Sequence, residues 1–146
     1  MDKATTTEIM TKHLKYTAEA GIWNHCMGFF GFPGETREEA WSSVQFLEQN
    51  KDYVHSLGFG TFDLGRHNPV AKHPEKFGVT AYKNPEWDLA LDYYFTVKQG
   101  LSIEEAERVF EEFERNHNPG WDLRLFIREY IFLYIARFGL QKLPDL

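Results

Sequence analysis

Gly28-Phe29-Phe30-Gly31-Phe32-Pro33-Gly34-Glu35-Thr36-Arg37-Glu38-Glu39-Ala40 is the stretch that decides the fold. An aromatic run stops, glycines and a proline force a tight turn, and acids open a helix at once. Gly31 and Gly34 permit backbone conformations and close approaches that a side chain forbids. Thr36 with Glu39 forms a capping box, which satisfies free amides at a helix start. Ala40, Trp41, Val44 and Leu47 then recur at helical spacing, so the pattern predicts an amphipathic helix over 37–50. On the other side of the turn, residues 22–30 are mostly apolar, of strand length and with little alternation. That suits a strand covered on both faces, as in a parallel sheet. Strand, glycine-rich turn and helix N-terminus together make a place for a ligand, because unpaired amides and the positive end of the helix dipole face whatever lies above the strand end. The same corner also serves simply to pack a helix back on its sheet.

Working outward, Thr5 with Glu8 reads as a capping box, and Ile9, Met10, Leu14, Thr17 and Ala18 share a face, predicting a helix over 6–20 that Gly21 ends. Residues 54–62 read as a second strand, alternating apolar with small residues. Helix-length crossovers make strands 22–30 and 54–62 parallel neighbours. From Asp63 to Asn84 the chain reads as a long irregular loop punctuated by Gly65, Asn68-Pro69, His73-Pro74 and Gly78. Three helices are expected to follow. Asn84-Pro85 caps the first, with Trp87, Leu91, Tyr94 and Phe95 on one face and Gly100 at its end. Ser102 with Glu105 boxes the second, which carries Ala106, Val109, Phe110 and Phe113. The third runs over 121–138 before Gly139.

Composition narrows the function classes. At 146 residues the chain is one domain by length, and its formal charge of -6 gives no reason to expect nucleic acid. A single cysteine, Cys26, excludes an internal disulfide framework and any multi-cysteine metal site within this chain. The polar start lacks the apolar core of a signal peptide and no run reaches transmembrane length, so a cytoplasmic protein is expected. Six histidines show no helical pair with an acid partner. Arg66, His67, Lys72, His73 and Lys76 crowd one loop of an acidic protein, where Arg66, Lys72 and Lys76 could hold an anionic substrate group. Ordinary solvation of a loop explains the same residues. No Ser-His-Asp order, Walker loop or dinucleotide fingerprint is present.

Residues 29–40, Phe29-Phe30-Gly31-Phe32-Pro33-Gly34-Glu35-Thr36-Arg37-Glu38-Glu39-Ala40, resemble the radical S-adenosylmethionine superfamily. There a strand of form apolar-apolar-Gly-Phe-Pro-Gly-Glu-Thr precedes a helix starting Glu-Glu. His73-Pro74-Glu75-Lys76-Phe77-Gly78-Val79 is similar to the loop after that family's sixth strand. The likeness covers about residues 1–80 and is greatest to the cobalamin-associated and methylthiotransferase-like branches.

The resemblance implies an α/β fold, a partial TIM-like barrel fragment made of the last two β/α units of a (β/α)6 barrel with two parallel strands. Residues 1–80 would be the barrel part and residues 81–146 a C-terminal three-helix extension. In the family a [4Fe-4S] cluster on three cysteines cleaves S-adenosylmethionine to a carbon radical. One cysteine cannot supply that cluster, so the chain would be the C-terminal portion of a larger iron-sulfur oxidoreductase, inactive alone. S-adenosylmethionine and the cluster would belong to the whole protein, with cobalamin a further cofactor in some branches. Carried over, Phe29 would wall the adenine and Gly31 would give it close backbone approach. Pro33 would shape the turn, Glu35 would sit near the helix start, and Asp63 and Leu64 would offer backbone. The acid falls one place late relative to the family's looser Gly-x-Ile-x-Gly-x-x-Glu pattern, and a carboxylate is favourable near a helix N-terminus in any case. The missing N-terminal part of the barrel is the implied partner. Without it, a bare strand edge is expected to drive homodimerisation, by edge pairing or helix exchange. The other reading is a self-sufficient protein-interaction domain with an aromatic helical docking surface.

Overall fold

The glycine-rich corner folds as its local signals require. In the computed structural model, which describes residues 5–82, 91–117, 133 and 136–139, strand β1 (His25–Phe30) ends at the turn and helix α2 (Arg37–Gln49) begins beyond it. The box closes in both directions: Thr36 N donates to Glu39 Oε2 at 2.8 Å, and Glu39 N to Thr36 Oγ1 at 3.2 Å. Strand β2 (Ser56–Thr61) lies beside β1. Asn24 O accepts from Ser56 N, and Phe30 O from Phe62 N, so both strands advance in step and the pair is parallel.

The described residues pack as two units, 5–27 with 45–58, 117, 133 and 136–139, and 28–44 with 59–82 and 91–116. In the first, helix α1 (Thr7–Glu19) is capped by Thr6 rather than Thr5. Thr6 has the extended backbone of a cap, and its hydroxyl accepts from Ile9 N at 3.3 Å. The helix ends as expected at Gly21 (φ +75°), where Ile22 N reaches Thr17 O and Gly21 N reaches Ala18 O, the paired bonds of a Schellman motif. The shared face is covered only in part: Leu14, Thr17 and Ala18 are half-buried. No α1 residue is buried, and Ile9 is 54% exposed. The buried residues of this unit are Leu47 and Val54 with three polar ones, Asn24, Asn50 and Ser56. A 3-10 turn, Lys51–Tyr53, leads into β2.

The second unit holds the larger apolar core. Phe30, Phe59 and Phe113 form one ring cluster with centroids 5.2–5.7 Å apart, and Gly28 lies under it: a Cβ there would come within 2.5 Å of the Phe59 ring. Burying a side chain such as Phe30, which is fully enclosed, is worth about 1.5–3 kcal/mol. The opposite face of β1 is open, with Met27 81% and Phe29 40% exposed. The expectation of a strand covered on both faces is thereby corrected. The apolar run in the sequence reflects an enclosed aromatic cluster around Phe30 on one side and, on the other, Phe29 packed against Phe32 and Phe62 while staying 40% exposed.

The region after β2 departs furthest from expectation. The stretch read as an irregular loop contains β3 (Leu64–Gly65), a one-turn helix α3 (Pro69–Lys72), a 3-10 turn (Pro74–Phe77) and β4 (Val79–Tyr82). Residues 92–97, placed by spacing in a helix, are instead strand β5 (Asp92–Val97), the centre of a three-stranded antiparallel sheet ordered β3-β5-β4. Leu64 faces Tyr93 on one side, and Val79 to Tyr82 face Val97 to Tyr94 on the other. Asp-Tyr-Tyr-Phe-Thr-Val is aromatic and β-branched, and Phe95 is buried between the exposed Tyr94 and Thr96, a period of two that overrides the helical spacing counted with Trp87 and Leu91. Over 92–97, then, the first helix expected of the extension is a strand. The second stands as helix α4 (Ile103–His117), boxed by Ser102 and Glu105. The cap at Asn84-Pro85 and most of the third helix lie outside the described residues; Leu133 and residues 136–138 are helical. The architecture is α/β with a two-stranded parallel sheet and a separate antiparallel sheet, and no barrel closes among the described residues.

Candidate functional site

All the site residues suggested by the sequence belong to the second unit, on the turn after β1 and the segment after β2. Because the strands are parallel and Phe62 N donates to Phe30 O at 2.8 Å, residues 31–36 and 62–66 leave the sheet at the same end. Pro33 and Gly34 (φ +91°) form the centre of a type II turn closed by Glu35 N to Phe32 O at 2.8 Å. Gly34 is required there because its φ is positive.

Glu35 folds back over this turn. Its Oε2 accepts from Gly31 N at 2.6 Å, a charge-assisted bond that ties both ends of the turn together. Burial lifts the Glu35 carboxyl above the usual carboxylate range, the Gly31 amide opposes that lift, and the negative charge of Glu39 adds to it. The main chain of Glu35 is engaged as well: its carbonyl accepts from Leu101 N at 2.8 Å, and a Cβ on Gly100 (φ +88°) would sit 2.6 Å from that oxygen. Gly31 (φ +84°) is equally constrained, since a Cβ there would lie 2.6 Å from the Ala106 Cβ of α4. The close approach that the sequence offered to an adenine is made, on that side, by a helix of the chain itself. Gly31 and Pro33 are buried.

Phe29 retains an open face. Its ring lies 6.2 Å from Phe32 and 5.7 Å from Phe62, and Phe32 continues to Phe62 (5.3 Å) and Phe77 (6.1 Å), with Phe62 reaching Phe95 (5.6 Å). This aromatic chain links the partly exposed Phe29 to the core cluster of Leu64, Val70, Val79 and Phe95. Phe32 was not among the residues singled out, although its place before Pro33 in the motif was the available signal. Leu64 is fully buried and paired in β3, so its side chain serves the core, while Asp63 beside it is exposed.

The basic residues follow on the same segment. Arg66 is half-buried and its amide donates to Leu91 O at 2.9 Å. Lys72 ends α3, which Asn68 caps by accepting from Ala71 N at 2.8 Å, and Lys76 lies in the next turn; both lysines are exposed. His73 stands 3.9 Å from Glu75, so part of the positive cluster faces an acid.

A second set of polar residues, which the sequence reading passed over as strand, surrounds Asn24 in the first unit. Asn24 is 8% exposed, and its side-chain amide donates to Leu14 O (2.8 Å) and Tyr53 O (2.7 Å). Those two carbonyls fix the amide orientation, so Oδ1 faces the Thr17 hydroxyl at 2.7 Å. Ser56 Oγ, 2% exposed, accepts from Trp23 Nε1 at 2.8 Å and lies 2.7 Å from His25 Nδ1. The enclosure of that serine leaves no room for it to meet a substrate. Burial pushes the Cys26 thiol up, away from the reactive thiolate form.

The iron-sulfur cluster does not fit this chain. One half-buried thiol is available, and among the described residues no three His, Cys, Asp or Glu side chains come together to hold a metal ion. No helix among the described residues is long and apolar enough to cross a membrane. Compared with models of protein families, with curated proteins and with solved structures, the chain matches none.

Proposed function

We propose that this chain is the C-terminal portion of a radical S-adenosylmethionine enzyme of the cytoplasm, supplying barrel wall and one side of an adenine pocket to a cluster-bearing partner segment. The observation that carries the reading is the bond from Phe62 N to Phe30 O, which puts the Gly-Phe-Pro-Gly-Glu-Thr turn and Asp63 at the same end of two parallel strands. Barrel enzymes place their sites at that end. The partly exposed ring of Phe29 is the adenine wall in this reading, and Arg66, Lys72 and Lys76 are positioned along the segment that follows to meet an anionic group. Glu35 acts as a turn clamp, because its carboxylate is bound to Gly31 N.

The partner segment is the remainder of the same barrel. Among the described residues β1 pairs only with β2, and a two-stranded parallel sheet with Met27 open to solvent is too small to stand unaided. A strand of the missing part would pair with the free edge. Co-expression of this chain with the polypeptide encoded upstream of it tests the proposal. The expected result is an anaerobically purified complex carrying a [4Fe-4S] cluster and cleaving S-adenosylmethionine. An upstream region without Cys-x3-Cys-x2-Cys, and a purified chain that is a monomer free of iron, would overturn it in favour of a self-sufficient interaction domain.

A further inference from the structure

His55 accepts a hydrogen bond that only its neutral form can accept. The donor is the backbone N–H of Asn24, 2.9 Å from Nδ1, so that nitrogen carries the lone pair and any proton on the neutral ring is at Nε2. His25 differs. Its Nδ1 faces the Ser56 hydroxyl, which can donate to it or accept from it. The Trp23 ring covers His55 at a centroid distance of 5.3 Å.

We infer that His55 and Asn24 form an acid-released latch on α1. A proton taken from solvent onto Nδ1 sets N–H against N–H and ends that bond, so the Asn24 segment is left on the bonds that its carbonyl accepts from His55 N (3.0 Å) and Ser56 N (3.2 Å) and is freed to move. With it go the bonds of the Asn24 side chain to Leu14 O and Thr17 Oγ1 of α1 and to Tyr53 O of the 3-10 turn. Helix α1 has no buried side chain to hold it in their place.

The titratable groups around the latch do not substitute for His55. Lys15 and Glu19 of α1 pair with each other at 3.8 Å on the surface; Lys12 and His13 of α1, and Lys51 and Asp52 of the 3-10 turn, are exposed; Tyr53 contributes its carbonyl, and His25 is joined to Ser56. Burial holds the His55 imidazole below its ordinary 6.5. The group with the depressed value binds its proton more readily in the unfolded chain. The latch is therefore at full strength above about pH 6.5 and is lost as pH falls through the lower folded value.

Amide hydrogen exchange on the full chain, corrected for intrinsic rates, tests this together with nitrogen-15 NMR of the imidazoles. Opening of Asn24 and the α1 amides is expected to rise severalfold between about pH 7.5 and about pH 5, with the amides of α4 unchanged. His55→Asn, whose Oδ1 replaces the Nδ1 acceptor but does not titrate, should keep α1 closed across that range. The neutral His55 ring of the wild-type chain should show the proton at Nε2. A proton at Nδ1, a flat profile in the wild-type chain, or a pH dependence that survives His55→Asn and disappears in His25→Asn would each overturn the inference.

Discussion

The turn after β1 and the attachment of α1 are both made by short chain segments, yet they are held by different forces. Around residues 28–36 and 100–113 the backbone is packed against apolar neighbours: Gly28 under Phe59, Gly31 against Ala106, Gly100 against the Glu35 carbonyl. Around α1 the fastening is polar. Asn24 joins the helix to the 3-10 turn, while the helix itself has no fully buried side chain and only Thr11, Leu14, Thr17 and Ala18 half-buried. Close packing is unforgiving of added volume and insensitive to pH, whereas a buried hydrogen-bond hub depends on every donor and acceptor being in the correct protonation state. One molecule thus contains a region expected to fail as a whole and another expected to open by itself.

The largest effects should come from breaking the packed region. Phe30→Ala removes a fully enclosed ring and should cost about 3–5 kcal/mol in denaturant unfolding. Gly100→Ala should cost about 2–4 kcal/mol, since it combines a φ of +88° with a Cβ only 2.6 Å from the backbone oxygen of Glu35. Both losses should be global, with the protection of β5 and α4 amides falling together. A variant that lost α1 alone would contradict the division.

Asn24→Ala is the converse probe. It withdraws the amide that Leu14 O and Tyr53 O share with each other and the acceptor facing the Thr17 hydroxyl; Thr17 Oγ1 keeps His13 O and Leu14 O, so the cost of about 1–3 kcal/mol for a polar group losing its partner falls chiefly on Tyr53 O. Hydrogen exchange should report the loss in α1 while β5 and α4 keep their protection. Equal loss throughout would show that the polar hub also supports the apolar core.

The smallest effect sharpens the comparison through a single titrating group. Glu35 has its carboxyl raised above 4.5 by burial, so its contribution to stability is complete below about pH 4.5 and is lost as pH rises through its folded value. Glu35→Gln keeps an oxygen acceptor for Gly31 N and should flatten that slope, leaving stability at neutral pH within about 1 kcal/mol of the parent. Urea midpoints measured from pH 4 to pH 8 would check it. An unchanged slope would mean that another carboxyl governs this range.

These contrasts follow what was legible beforehand. The turn, the starts of α2 and α4 and the parallel pair β1 and β2 could be read in advance, because a capping box and a glycine turn are each visible within four residues. Glu35 was legible as a residue near a helix start, but its bond to Gly31 was not, and Phe32 was overlooked beside it. Strand β5 was misread because Tyr94 and Phe95 satisfy a helical count with Trp87 and Leu91, and only pairing with β4 and β3 selects the alternation.

By itself, then, the sequence determined the elements whose signals are short-range: where the chain turns, where two helices start, and which strands could lie parallel. The tertiary structure decided what those elements meet. Asn24 finds its partners 10 and 29 residues away, and its amide finds His55 31 residues away. Gly31 and Gly100 owe their necessity to a helix and a carbonyl more than sixty residues distant in sequence. Contacts of that separation leave no periodicity in the chain, because they depend on how elements stack after they form and not on the spacing of residues within any one of them.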